Sequence, residues 1–331
     1  MRVAVTGGSG FLGSYLVRRF KADGGEVRAL VRDPEKCSRL PAGVEPVVGD
    51  IAAADPVRRL VEGADLVLHT VSNFRLASGP AESYRRINVL GTRNVLEATI
   101  EAGVQRFVHC STIGVHGHVA ETPGDENAPY NPGDLYQQTK LEAEKLVRAR
   151  AGSSATEIVV VRPCSMYGPG DLRMLKMFRM LARGRFFKVG PCRANFHAGY
   201  IEDVVDGFVR AATVPGIDGE VFIVGGDRFL PLDEYIDTAA QAVGAPAPKL
   251  RLPYGAMHAA AWACERMCKP FGLEPPLHVR RVRFFRNNRA FSIDKARRVL
   301  GFEPAIPLEE GMARTVDWYR SQGLLPQGGA R

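Results

Sequence analysis

Tyr136 and Lys140, within the run Leu135-Tyr-Gln-Gln-Thr-Lys-Leu141, have the types and spacing for proton chemistry. Four residues apart on a helix, they share one face and their side chains are neighbours. A free tyrosine has a pKa of about 10 and is a poor base at neutral pH. An ammonium beside it favours the phenolate, so the spacing predicts a phenol drawn down toward the range where acid–base catalysis works. A surface helix with a core-facing tyrosine gives the same spacing. The surroundings of the pair must decide.

The chain opens with the β-branched run Arg2-Val-Ala-Val-Thr6, then Gly7-Gly-Ser-Gly10-Phe11-Leu12-Gly13, then an apolar-periodic stretch from Tyr15 to Phe20. This order predicts strand, turn and helix. Gly8-x-Gly10-x-x-Gly13 fits the dinucleotide fingerprint, and Gly7-x-x-Gly10-x-x-Gly13 fits a longer-spaced variant. Glycine permits the tight turn and lets backbone approach a pyrophosphate, which meets the free amides of the following helix. Gly7, Gly10, Phe11, Leu12 and Gly13 are the candidate cofactor loop, with an ordinary glycine turn as the alternative. A second strand, Val27 to Val31, follows at the βαβ distance, and Arg32 comes just after it. An acidic residue there reads the adenosine ribose of NAD, whereas arginine accommodates the 2′-phosphate of NADP. Arg32 followed by Asp33 is a mixed signal that favours NADP(H) over NAD(H); a solvated loop charge competes with it.

With 331 residues, the chain predicts about two domains and a sizeable core. Met1-Arg2-Val3 runs directly into the first strand, so no signal peptide is expected. No apolar run reaches the ~20 residues of a membrane helix. The most hydrophobic helical stretch, Tyr254 to Cys268, is short and interrupted by Glu265 and Arg266. A cytoplasmic protein without a membrane span is expected. Six cysteines without a regular framework suggest reduced thiols. Cys264 and Cys268 share a helix face, but no ligand cluster accompanies them; buried thiols and no metal are expected. His69 and His109 fall inside strands and are expected to be packed and hydrogen-bonded. His118 and His197 could touch a substrate. The net charge of +8 is most concentrated from His278 to Arg289. Without zinc spacing, a helix-turn-helix or an aromatic platform, nucleic acid is not the expected partner. A solvated rim and a grip on a small anion, such as a substrate diphosphate, both fit.

The first half alternates strand-like runs (44–48, 66–71, 106–111, 157–162) with helical patterns (56–61, 81–102, 135–149). Helices between successive strands predict parallel pairing in a doubly wound α/β Rossmann sheet. Ligands of such sheets sit at the carboxyl ends of the strands. Asp50 and Ile51 end the third strand, Thr70, Val71 and Ser72 the fourth, and Ser111 and Thr112 the fifth.

With these landmarks the chain resembles the extended short-chain dehydrogenases/reductases, the NAD-dependent epimerase/dehydratase family. The resemblance covers nearly the whole chain. It rests further on Asn88-Val-Leu-Gly-Thr92, Arg162-Pro163, Tyr167-Gly-Pro-Gly170, Ile201-Glu-Asp-Val204 and Leu300-Gly-Phe-Glu-Pro304. It implies Tyr136 as general acid/base, Lys140 on the nicotinamide ribose while lowering the tyrosine pKa, and Thr112 at the substrate oxygen. It implies Asp50 and Ile51 beside the adenine, residues 70–72 along the dinucleotide cleft, Pro163 near the nicotinamide, and Asn88 as a structural brace. Plain capping is the alternative for Asn88 and Asp50. It also implies a homodimer built on the helices near 81–102 and 134–150.

The resulting domain expectation is a Rossmann domain over residues 1–163, returning at about 201–227. Residues 164–200 and 228–331 would form a smaller interleaved substrate-binding lobe. Ser165, Arg193 and His197 are candidate substrate contacts. Ser165 stands where nucleotide-sugar epimerases usually carry asparagine, and the run Arg286-Asn-Asn-Arg-Ala-Phe-Ser-Ile-Asp-Lys295 looks more like the sterol-dehydrogenase and flavanone-type reductase branch. The expected activity is hydride transfer at a secondary alcohol or ketone of a small molecule. Epimerisation or dehydration with recycled cofactor is the alternative, and a non-catalytic dinucleotide-binding regulator a remote one.

Overall fold

A computed structural model describes residues 1–74, 81–271, 273 and 275–327; six positions of the expected 228–331 segment (272, 274 and 328–331) lie outside them. Seven strands form one parallel sheet: β1 (Arg2–Thr6), β2 (Glu26–Val31), β3 (Glu45–Val48), β4 (Leu66–His69), β5 (Arg106–Cys110), β6 (Glu157–Pro163) and β11 (Val221–Val224). Their order is β11-β6-β5-β4-β1-β2-β3, so the chain reverses its winding between β1 and β4. A crevice opens at such a switch point, outside the carboxyl ends of the strands. The sheet is Rossmann-like and doubly wound, as the alternation predicts.

Both faces are covered, and both are read from the strands. In β1, Val3 and Val5 join one buried cluster and Ala4 the other. Such period-two division puts a helix layer on each side. Helix α1 (Phe11–Ala22) buries Leu12, Leu16, Val17 and Phe20 on one face. On the other side lie α2 (Ala54–Val61), α3 (Ala81–Arg85), α4 (Gly91–Glu101) and α5 (Leu135–Arg148).

Two expected elements are modified where function needs it. The fourth strand stops at His69, because Thr70 turns back to give its hydroxyl to Thr6 O at 2.7 Å. The helix expected over 81–102 is interrupted by a π-helical stretch, Arg86–Leu90, which carries the buried Asn88. One extra residue per turn there re-aims a side chain that a regular helix would direct elsewhere.

After β6 come β7 (Ser165–Tyr167), α6 (Leu175–Ala182), β8 (Lys188–Val189), β9 (Asn195–Phe196), β10 (Ala198–Tyr200) and α7 (Ile201–Thr213). Beyond β11 follow β12 (Leu230–Pro231), α8 (Leu232–Val243), β13 (Arg251–Leu252), α9 (Tyr254–Cys268), α10 (Val279–Arg283) and α11 (Leu308–Ser321). The short strands pair two by two, β7 with β10, β9 with β12 and β8 with β13, outside the main sheet. The loop between β7 and α6 is tied to α1, where Tyr15 donates to Pro169 O at 2.8 Å.

Candidate active site

The turn after β1 is shaped by what glycine lacks. Gly7 has φ +73°, and a Cβ there would lie 3.0 Å from Thr70 Oγ1. A Cβ on Gly13 would fall 2.1 Å from Gly7 O, so only glycine lets α1 start this close to β1. Gly10, the residue before α1, provides no side-chain cap, and the first-turn amides are left for a ligand. This cradle fits the pyrophosphate of a dinucleotide.

The other expected cofactor residues ring the same sheet edge. Thr70 also gives its amide to Thr6 Oγ1 at 3.1 Å, and beyond it Val71 is half-buried and Ser72 exposed. Asp50 accepts from Ala52 N at 2.8 Å and pairs with Arg86 at 2.7 Å. Partial burial opposes its charge, yet the Ala52 amide and Arg86 hold the carboxyl below its ordinary value. Ile51 is buried. Arg32 is exposed, whereas Asp33 caps the next turn through Glu35 N and faces Lys36 at 3.4 Å. Pro163 is buried at the end of β6, paired with Val224.

Helix α5 starts where Asp134 accepts from Gln137 N at 2.9 Å, a side-chain N-cap. Its inward face repeats every turn through Tyr136, Lys140 and Glu144, and these three residues have three fates. The Thr112 hydroxyl lies beside the Tyr136 phenol and favours its ionised form. Thr112 also caps the turn after β5 by accepting from Gly114 N at 3.0 Å. Lys140 is buried and donates Nζ to Cys110 O at 2.6 Å. Glu144, one turn on, takes both Arg162 Nη2 at 2.5 Å and Ser111 Oγ at 2.6 Å.

The phenol departs from the spacing argument. Burial pushes Tyr136 above its ordinary value, and the nearby charge that lowers it comes from Arg173, with Asp134 opposing. Lys140 is a neighbour along the helix, but its ammonium is directed to a carbonyl of β5, and burial pushes its own pKa down. The resting site therefore holds a protonated phenol, in the form that donates a proton.

Sequence spacing missed the lid over this phenol. The Phe74 ring meets the Tyr136 ring edge-on at 4.8 Å. The Arg173 guanidinium lies 5.3 Å from the centroid of Phe11 and 5.9 Å from that of Phe74, anchored by Asp171 at 2.7 Å. Arg280 also packs over Phe74, 5.7 Å from its ring centroid, and pairs with Asp134 at 2.9 Å. No motif carries these residues, since Phe74, Arg173 and Arg280 are far apart in the chain, Arg280 on α10.

Asn88 braces the site from below. Its Oδ1 accepts from Asn73 N at 2.7 Å, and its Nδ2 donates to Thr139 Oγ1 at 2.9 Å, on α5 between Tyr136 and Lys140. Of the three candidate substrate residues, Ser165 and His197 are neighbours across paired strands and Arg193 stands on the surface. Ser165 gives its amide to His197 O at 3.0 Å, Arg193 is exposed, and the buried His197 bonds through Nε2 to Gly226 O at 2.8 Å. His118 instead accepts from Asn288 N at 2.9 Å.

Of the smaller expectations, one holds and two are corrected. His69 is bonded to Thr6 and Thr92 as expected, at 2.9 Å each, and burial pushes it down to about 3. His109, stacked on His69 at 5.3 Å, has no hydrogen-bond partner at either ring nitrogen among the described residues; burial keeps it neutral between β5 and the helices. Cys264 and Cys268 are half-exposed rather than buried, because the face of α9 that carries them is only partly covered. Among the described residues, no group of histidine, cysteine or carboxylate side chains could hold a metal ion.

A model of the NAD dependent epimerase/dehydratase family matches residues 3–225. The chain belongs to that family. A 3-beta-hydroxysteroid dehydrogenase of Mycolicibacterium neoaurum is 35% identical, over 96% of this chain and 91% of the relative. The crystal structure of gox2253 superposes with a TM-score of 0.82 at 26% identity, covering 98% of this chain and 99% of that one. MoeE5 in complex with UDP-glucuronic acid and NAD shares the fold, with a TM-score of 0.77 at 24% identity over 97% and 100%. The chain is thus an enzyme of the extended short-chain dehydrogenase/reductase group, working with a nicotinamide dinucleotide.

Proposed function

We propose that this enzyme reduces a ketone, or oxidises the corresponding secondary alcohol, with Tyr136 as the acid/base. The observation that carries the reading is the placement of the Tyr136 phenol one helical turn from the buried Lys140, which is bound to Cys110 O, and beside Thr112 at the carboxyl end of β5, where burial keeps the phenol protonated. When bound, the nicotinamide supplies the hydride to the carbonyl carbon. Tyr136 gives its proton to the carbonyl oxygen as that oxygen gains charge, and Thr112 Oγ1 holds the same oxygen by a hydrogen bond. Lys140 sits one turn behind, fixed on Cys110 O, where its charge assists binding of the ribose and return of a proton to the phenol. Phe11, Phe74 and Arg173 keep water from the phenol. Gly7, Gly10, Phe11, Leu12, Gly13, Asp50, Ile51, Thr70, Val71, Ser72 and Pro163 form the dinucleotide cleft in this reading.

The exposed Arg32, beside an Asp33 already engaged in a cap, supports NADP(H) over NAD(H). The substrate class follows the steroid-dehydrogenase relative: a lipophilic secondary alcohol or its ketone. A sugar-nucleotide epimerase would require cations converging on a diphosphate. Here Arg280 is spent on Asp134, Arg286 lies over Tyr254 and Arg289 over Phe284. Residues 164–200 and 228–331 would supply the substrate lobe around Ser165, Arg193 and His197, in a cytoplasmic homodimer formed through α4 and α5.

The test is a turnover screen with NADPH and NADH against 3-ketosteroids, simple ketones and sugar nucleotides. Stoichiometric consumption of added NADPH with a ketone is the expected result. Epimerisation of a sugar nucleotide with no net cofactor consumption would overturn the reading.

A further inference from the structure

Helix α9 has an unusual outer side. Its inner face packs Ala261, with Tyr254 and Met257, against Val282 of α10 and Val189 of β8. Glu265, its only acid, also turns inward, accepting from Val279 N at 2.9 Å. The outward residues, at helical spacing, are Gly255, Ala256, Ala259, Ala260, Trp262, Arg266 and Met267, all exposed. A surface helix ordinarily carries charge on that side. Here Arg266 is the one charge, and its guanidinium lies 5.5 Å from the centroid of the Trp262 ring.

The apolar surface continues past the helix. Trp262 is 56% exposed, Met267 72%, Phe271 76% and Leu273 62%. These are large side chains, close in sequence, and such a concentration on a protein surface marks an interaction site. Charge narrows the partner. Residues 245–286 contain eight lysines and arginines against two acids, which is most of the chain's net +8. Arg281, Arg283 and Arg286 are exposed and have no carboxylate partner among the described residues. A second copy meeting this face across a two-fold axis would set cation against cation. Tryptophan and phenylalanine with flanking lysine and arginine, on a helix too short to span, are the composition of a segment lying in a lipid headgroup layer.

We infer that α9, with Lys269, Phe271 and Leu273 beyond it, seats this enzyme peripherally on an anionic lipid bilayer. Trp262, Met267 and Phe271 enter the acyl boundary, while Arg266, Lys269, Arg281 and Arg283 meet the headgroups. The seat adjoins the active site, because Arg280 of α10 pairs with Asp134 and packs over Phe74, the ring lying against Tyr136. A lipophilic alcohol could then pass from bilayer to site without crossing water; that consequence alone rests on the reductase reading.

Sedimentation of the full chain with phosphatidylglycerol-containing vesicles tests the seat, with pure phosphatidylcholine vesicles as comparison. The wild type is expected to pellet with the anionic vesicles and about tenfold more weakly with the neutral ones. The triple variant Trp262→Ser, Met267→Ser, Phe271→Ser should stay in the supernatant, as should Arg266→Glu with Lys269→Glu, with unchanged melting temperatures. In a Trp318→Phe background, the Trp262 emission should shift to the blue on adding vesicles. Wild type that stays in the supernatant, or a triple variant that pellets like wild type, overturns the proposal. So does a wild-type dimer that the triple variant dissolves, since a second copy would then cover the face. These readouts need no turnover, so failure of the ketone assay would leave them standing.

Discussion

Lys140 and Glu144 lie one turn apart on the same buried face of α5, yet the helix treats their charges in opposite ways. Glu144 is matched: Arg162, Ser111 and, at 3.4 Å, Tyr130 satisfy its oxygens, and Arg162 in turn reaches His116 and Glu126 O. Lys140 has one backbone carbonyl, and among the described residues no carboxylate is paired with it. A buried charge without a counter-ion is costly unless something returns the cost. The contrast separates the helix into a half that holds the fold and a half held ready for a ligand. The change comes between Cys110, whose carbonyl takes Lys140, and Ser111, whose hydroxyl goes to Glu144.

That division can be broken at either half. The largest effect is expected from Arg162→Met, which strands a fully buried carboxylate and should cost about 3–5 kcal/mol of unfolding free energy, read by urea titration. Tyr136→Phe should do the reverse, with a near-wild-type melt and kcat reduced on the order of 10²-fold or more. Thr112→Ala should lose about tenfold in kcat, while Thr112→Ser, which keeps the hydroxyl, should recover most of it. The smallest effects are in the pH dependence of stability. Burial opposes the Glu144 charge, but Arg162 and Ser111 prevail and its folded pKa is lowered. Its stabilisation is therefore present above the ordinary value of 4.5 and is lost as pH falls through the lower folded value. For Lys140, burial lowers the folded pKa beneath 10.5, so stability should rise with pH between those two values. Lys140→Met should abolish that alkaline rise and leave the acid limb unchanged.

The glycine turn, the strand order and the Tyr136–Lys140 face were legible because each depends on local spacing: a turn only glycine fits, a period of two, a period of 3.6. For Asn88 the resemblance implies a brace, with plain capping as the alternative; its bonds to Asn73 and Thr139 depend on a π-helical turn that has no sequence signature of its own. The sign of the Tyr136 shift was not legible. Spacing puts an ammonium beside a phenol, but only the tertiary fold shows it bound to Cys110 O and shows Arg173 arriving over Phe11 and Phe74. Phe74, Arg173 and Arg280 come from separate parts of the chain, so no window of sequence contains their meeting. The Glu144–Arg162 pair was hidden for the same reason: Arg162 was visible beside Pro163, its partner was not.

The most direct measurement of the central claim is the pH profile of single-turnover ketone reduction, for wild type and for Tyr136→Phe, on protein shown to be folded. A buried, protonated phenol acting as the proton donor predicts a wild-type rate that is level through neutrality and falls only above the pKa of free tyrosine, about 10, with the variant slow at every pH. A wild-type rate governed by an ionisation near neutrality, or a folded variant that reduces the ketone at the wild-type rate, would contradict it.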